Sequence, residues 1–375
     1  MKFLALDMGA SGTRFACDDQ KIRQIPNNMV FLDADEKTML KKNADDLMSN
    51  LEVVIEKDIE NEYFPCRALI GELANRHSTS NIRPSGLKNK SDQKVNYIST
   101  ITSAAIGLLA LQEDDQDIEV FVALPPAEAR VASEKIKNNL VGKYTVEFPR
   151  MDAKVTFTIK DVTTFEESFL AMLAFFFETD FKPKQAAIEF KTGNLLSLDI
   201  GASTTDIVVV ENLKYLEKSG QTYKTGGNIA VDILTDIIRG EYGYDMPIDI
   251  ATKAMAEGRM VLGNKYEDIS MHVKNAKKQY AREVVANIQS YFRKINIPIQ
   301  SIRAIMVSGG GSMQSQYVDE SSNVVVTVAP MSEFITEQLK DICDSVEVRA
   351  FDGNPRTANI TGLLTRVNLE MKKRG

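Results

Sequence analysis

Apolar positions along the chain follow two rhythms, short unbroken runs of strand length and stripes that return every three to four residues. Residues 118–124 form such a run and predict a buried strand, after which Pro126, suited to the first position of a helix, opens a helix to about 140. Residues 51–55 and 67–73 read as further strands. Between roughly 27 and 94 the composition shifts, and 75–94 is polar with Pro84-Ser85-Gly86, which predicts a small inserted subdomain with a flexible tip. Residues 168–177 are apolar on every side, so the helix they predict is buried, and Phe175, Phe176 and Phe177 belong to its core rather than to a ligand box. Ala276, Tyr280, Val284, Ile288, Tyr291 and Ile295 mark the inner face of a long helix over about 271–294, with Lys274, Lys277, Lys278 and Arg282 mainly opposite it as a solvated face. A shorter helix, 228–239, is expected between turns at 220–227 and 246–247.

Length and composition narrow the class. The 375 residues, 43% hydrophobic and 26% charged, predict a globular chain with two sizeable cores and exclude disorder as its main state. A net charge of −7 excludes a basic nucleic-acid binder. No apolar run approaches the ~20 residues that cross a bilayer, and residues 1–20 carry acids where a secretion signal is apolar, so the expected location is the cytoplasm. Cys17, Cys66, Cys343, His77 and His272 stand singly, without the spacings of a zinc site or redox pair.

Self-comparison reveals a repeat. The segment from Leu4 to Phe15 aligns without gaps on the segment from Leu196 to Ile207, and seven of the twelve positions are identical. Each copy is an apolar run, then Asp-x-Gly-Ala-Ser, then a return to β-favouring residues, which reads as strand, tight turn and antiparallel strand. A single such match marks any hairpin turn; two copies with matched flanks imply a duplicated, two-lobed fold with one phosphate-clasping hairpin per lobe.

The residue types suit that chemistry. Gly9 and Gly201 let backbone N–H groups come close to an anion, and Ser11, Ser203 and Thr204 add hydroxyl donors. Asp7 and Asp199, expected at the strand ends before each turn, can hold Mg²⁺ through its waters, and Arg14 adds a cation on the first loop.

At these residues the sequence resembles the actin, Hsp70 and sugar-kinase superfamily of ATPases. Its first phosphate motif is similar to Asp7, Met8, Gly9, Ala10, Ser11, Gly12, Thr13 and Arg14, with Arg14 where actin-like proteins carry Lys, and its second to Asp199, Ile200, Gly201, Ala202, Ser203, Thr204, Thr205 and Asp206. Its adenosine motif is similar to the apolar run from Ile305 into Gly309, Gly310, Gly311 and Ser312. Within the superfamily the detail resembles the plasmid-segregation actins of the ParM/StbA kind and their phage relatives. Gly71-Glu72-Leu73 is similar to a strand of their small subdomain, and Val122-Ala123-Leu124-Pro125-Pro126 to a Gly-Leu-Pro turn before a helix, with Ala123 replacing the glycine. The segment from Asp161 to Ser168 resembles the start of one connecting helix, and Ala358-Asn359-Ile360-Thr361-Gly362 the other.

The resemblance implies an α/β fold, the duplicated two-lobed actin-like (ribonuclease H-like) ATPase, with nucleotide in the interlobe cleft. It implies a first lobe of 1–165 plus 345–375, carrying the insertion at 27–94, and a second lobe of 166–344 with the adenosine motif. It further implies ATP and Mg²⁺ as cofactors, Glu167 as the residue that orients the attacking water, Asp7 and Asp199 as support for the metal, Glu257 as a ribose contact, and Gly226 and Gly227 near the nucleotide. The function implied is an ATPase that polymerises with itself into dynamic filaments and segregates plasmid or phage DNA through an adaptor, without direct nucleic-acid or membrane contact. A small-molecule kinase of the same fold and a membrane-associated actin-like scaffold are the alternatives. The Glu-Ser pair at the connecting helix and Gly71-Glu72-Leu73 favour the polymer, while the basic tail Lys372-Lys373-Arg374 leaves a lipid or DNA contact open.

Overall fold

A computed structural model describes residues 1–9, 12–33, 48–58, 64–77, 90–111, 115–216, 218–319 and 324–374. The chain divides into two compact units, Met1–Glu166 with Leu363–Gly375, and Glu167–Gly362.

In the first unit the chain runs through β1 (Phe3–Gly9), β2 (Gly12–Cys17), β3 (Arg23–Ile25), β4 (Met29–Leu32), β5 (Asn50–Lys57), β6 (Cys66–Gly71), α1 (Glu72–His77), α2 (Lys90–Leu109), β7 (Gln116–Leu124), α3 (Pro126–Leu140), β8 (Gly142–Phe148) and β9 (Ala153–Glu166). These strands form one nine-stranded sheet in the order β3-β2-β1-β7-β9-β8-β5-β6-β4. The centre, β1-β7-β9, is parallel, as buried apolar runs favour, and the outer pairings are antiparallel. The inserted region thus supplies one end of the same sheet through β4, β5 and β6. The strand expected over 67–73 stops at Gly71, whose backbone passes so near Ser49 that a Cβ would lie 2.1 Å from its carbonyl oxygen; Glu72 and Leu73 open α1 instead. The polar stretch from 78 to 89, with Pro84-Ser85-Gly86, lies outside the described residues. Asp161 to Glu166 end strand β9 rather than starting a helix.

The second unit opens with α4 (Glu167–Phe176) and α5 (Gln185–Glu189), followed by β10 (Asn194–Ile200), β11 (Thr205–Glu211), β12 (Lys214–Tyr215), β13 (Gln221–Tyr223), α6 (Asn228–Tyr242), α7 (Ile248–Glu257), β14 (Arg259–Leu262), β15 (Lys265–Asp268) and α8 (Ser270–Ile295). It continues through β16 (Ile302–Ser308), β17 (Ser315–Asp319), β18 (Val324–Val328), α9 (Met331–Leu339), β19 (Glu347–Ala350) and α10 (Ala358–Arg374), which passes into the first unit at Leu363. Its main sheet runs β12-β11-β10-β16-β19, with β13 on β11. Because β19 pairs in parallel with β16, residues 347–350 belong to this unit and the chain leaves it at Gly362, later than the sequence suggests.

Helix α4 is buried along its length, as its uniform apolarity requires, and Phe175 packs edge-on against Phe351 with ring centroids 5.1 Å apart. The stripe on α8 faces the core, and the helix ends at Asn296 in the left-handed region, φ +56°. Lys277 departs from the expected solvated face. It is 3% exposed, its ammonium donates to the carbonyls of Met313 (2.8 Å) and Ala329 (3.1 Å), and burial pushes its pKa down to about 8. Among the described residues no helix is long and apolar enough to cross a membrane.

Candidate functional site

Both repeats are antiparallel hairpins in equivalent register: Asp7 faces Arg14 in β1–β2, and Asp199 faces Asp206 in β10–β11. Ala10 and Ser11, at the tip of the first turn, lie outside the described residues. Asp7 stands within β1, two residues short of its end, and Arg14 stands in β2 rather than on the loop, because opposed residues of an antiparallel pair share one face. Both are nearly buried, with Arg14 Nη1 3.6 Å from Asp7 Oδ2. A buried amide secures this turn from outside it: Asn27 Oδ1 accepts from Thr13 Oγ1 at 2.6 Å, and Asn27 Nδ2 donates to the Gly9 carbonyl. The Thr13 hydroxyl is therefore directed at Asn27, and a Cβ on Gly12 would meet Gln24 Nε2 at 2.5 Å.

In the second hairpin the turn is held by main chain. Gly227 N–H donates to the Gly201 carbonyl and Asn228 N–H to the Ala202 carbonyl, both at 2.8 Å. The start of α6 thus braces the turn with its own amides, and the Ala202 and Ser203 amides carry no hydrogen bond among the described residues, which leaves them as donors for an anion. The approach is too close for side chains. A Cβ on Gly226 would lie 2.4 Å from the Ala202 carbonyl oxygen, and one on Gly227 would lie 2.9 Å from the Gly311 Cα. Gly311 itself passes the Ile200 side chain, where a Cβ would come within 2.7 Å. Gly309 has φ +87° and crosses directly over Asp199, with an added Cβ 2.3 Å from Oδ1. Gly310, Gly311 and Ser312 then form a single 3₁₀ turn, and Ser312 Oγ donates back to the Gly309 carbonyl at 2.7 Å.

Asp199 is where these segments meet. Asn359, at the start of α10, donates from Nδ2 to Asp199 Oδ2 at 2.7 Å, and Ser308 Oγ lies 3.5 Å from Oδ1. Opposite it, Asp206 accepts from Thr222 Oγ1 at 2.6 Å. Glu167 is the first residue of α4 and 8% exposed. Glu257, at the end of α7, is ion-paired with Arg259 (3.3 Å) and Lys253 (3.7 Å), and the Arg259 guanidinium in turn stacks on Tyr266 at 4.1 Å from its ring centroid. Among the described residues no cluster of three or more His, Cys, Asp or Glu forms. The glycine-lined second hairpin fits a phosphate chain, because only backbone without side chains brings several N–H groups to one anion.

Residues 197–317 match the family model described as archaeal actin homologue MreB-like, C-terminal. No curated protein matches the sequence significantly. Among solved structures, the actin-like protein Alp7A superposes with a TM-score of 0.72 at 19% identity, over 100% of this chain and 97% of that one. Ta0583, an archaeal actin homologue, gives 0.70 at 16% identity over 99% and 100%, and has also been solved in complex with ADP. The subunit of a 15-stranded ParM filament from Clostridium botulinum gives 0.68 at 18% identity over 99% and 100%. The fold is that of the actin homologues.

Within this actin-like fold, sequence patterning located both hairpins and the glycine run but not their supports. Asn27 carried no local signal, Ser308 was read only as part of the run into the adenosine motif, and Arg356 lies along Gly310, where an added Cβ would meet its Cγ at 3.3 Å. Asn27 and Arg356 reach their turns from segments distant in sequence, and Ser308 meets Asp199 across the β10–β16 pairing.

Proposed function

We propose that the protein is an actin-like ATPase that binds ATP with Mg²⁺, hydrolyses it, and assembles with copies of itself into filaments whose lifetime follows hydrolysis. The observation that carries this reading is the meeting of Gly226, Gly227, Gly309 and Gly311 with the Gly201 turn by main chain alone, beside Asp199 and the spare amides of Ala202 and Ser203. The ADP complex and the filament known among proteins of this fold support it.

Mg·ATP supplies the electrophilic phosphoryl group and the charge that divides on its transfer. The chain's part is positioning and electrostatics. The second turn would contact phosphate through its spare amides, with Ser203 and Thr204 as hydroxyl donors. Asp199 and Asp7 are the carboxylates that would support Mg²⁺, which would supply charge neutralisation, and Arg14 is ion-paired with Asp7. Glu167, fixed at the first position of a buried helix, orients the water that attacks. Gly309 to Ser312 would back the nucleoside, and Glu257 would be the carboxylate for the ribose hydroxyls. The filament carries plasmid or phage DNA through an adaptor protein, since a net charge of −7 disfavours direct phosphate-backbone contact.

The test is light scattering with parallel phosphate release after adding Mg·ATP, against Mg·ADP and the Glu167→Ala variant. A rise that decays as phosphate appears, and that persists in the variant, supports the reading. Absence of any rise, with turnover only when a small alcohol is supplied, replaces it with the kinase alternative.

A further inference from the structure

Among the described residues of the second unit, the buried side-chain atoms left without a hydrogen-bond partner are Ser168 Oγ and Asn359 Oδ1. They are complementary, one a hydroxyl able to donate and the other an amide oxygen that only accepts. Their residues are anchored to neighbouring positions of one strand. Ser197 Oγ donates to the Ser168 carbonyl and Asn359 Nδ2 donates to Asp199, each at 2.7 Å. Ser197 and Asp199 are two positions apart on β10, so they share one face of the strand about 7 Å apart. The helices that carry the pair touch backbone to backbone, since a Cβ on Gly362 of α10 would lie 1.8 Å from the Leu170 carbonyl oxygen of α4.

Each open group also adjoins a residue assigned to hydrolysis. Ser168 follows Glu167 at the start of α4, and Asn359 holds the Asp199 carboxylate. Two complementary buried groups are satisfied by a small displacement that brings them together, and the close Gly362–Leu170 approach couples that displacement to the packing of the two helices. We propose that Ser168 Oγ–H donates to Asn359 Oδ1 when nucleotide is bound, and that the two form a positioning pair fixing Glu167 relative to Asp199. The proposal rests on the ATPase reading above and adds to it two residues that act through others rather than on the substrate.

The test measures Tm of the full chain with and without Mg·AMPPNP, and turnover with Mg·ATP, for wild type, Ser168→Ala, Asn359→Ala and the double variant. Ser168→Ala is expected to leave the nucleotide-free Tm unchanged or raised, because on this proposal its hydroxyl gains its partner only with nucleotide bound. It should shrink the nucleotide-induced rise and lower turnover about tenfold, the effect of one buried hydrogen bond. The two substitutions should be non-additive in the nucleotide-bound state. A lowered nucleotide-free Tm in Ser168→Ala, a wild-type nucleotide response in it, or additive effects overturn the pairing. A wild-type chain whose Tm does not respond to Mg·AMPPNP overturns the nucleotide reading first and the pairing with it, so the two failures are read from different samples.

Discussion

Arg14 lies across the first hairpin from Asp7, its Nη1 3.6 Å from Oδ2, at the position where the second hairpin carries Asp206 facing Asp199. The two copies have therefore kept their backbone register and diverged in charge: a carboxylate with its cation in one, two carboxylates in the other. Replacing Arg14 by Met removes the cation from a pair that is 9% and 4% exposed in its side chains, a change that costs about 3 kcal/mol when such a pair is truncated. Faster hydrogen exchange of the β1 and β2 amides is the expected outcome, with Arg14→Lys recovering much of the protection.

Gly226→Ala tests the main-chain cradle. Its Cβ would come within 2.5 Å of the Thr204 amide nitrogen as well as the Ala202 carbonyl, and neither atom can retreat without moving the turn. The substitution should cost about 1–3 kcal/mol by overpacking, read as a lower urea midpoint for the second unit, and should abolish nucleotide binding in a titration.

Lys277 predicts a pH dependence. Its folded-state pKa, near 8, lies below the ordinary 10.5, so between those values the unfolded chain binds more protons than the folded one and stability rises with pH. The contribution is complete above about 10.5 and absent below about 8. Comparing wild type with Lys277→Met, the wild type should gain stability relative to the variant as pH is raised from 7 to 10 in denaturant titrations. A difference independent of pH contradicts the assignment.

Cys66 offers a chemical check on the first unit. Burial pushes its thiol up to about 12, so almost no thiolate exists in the native protein at pH 8. Alkylation by iodoacetamide should be at least about tenfold slower in the native chain than in urea. Native reactivity equal to that of the unfolded chain would show that the strand β6 opens freely.

What the sequence made legible was what repeats or alternates locally. The hairpins were readable because duplication turned a common turn into a specific pair, and α3 because Pro126 punctuates an amphipathic run. Lys277 was misread because helical spacing assigns a face but not its neighbours: the ends of the β17–β18 excursion, at Met313 and Ala329, cover that part of α8. The late exit of the chain at Gly362 followed from β19, four residues whose place beside β16 depends on parallel pairing rather than on local pattern. Asn27 and Asn359 look like ordinary loop and helix-start residues until the fold brings Thr13 and Asp199 to them.

The glycine contacts around Gly201 also bear on how such a chain evolves. A site assembled from peptide groups depends on the path of the backbone, and most side chains along that path can be exchanged while the path is kept. The few positions that cannot change are those where any added carbon collides, Gly226, Gly309 and Gly311 among them. A saturation library screened for function should therefore show a sparse set of intolerant glycines within broadly permissive surroundings.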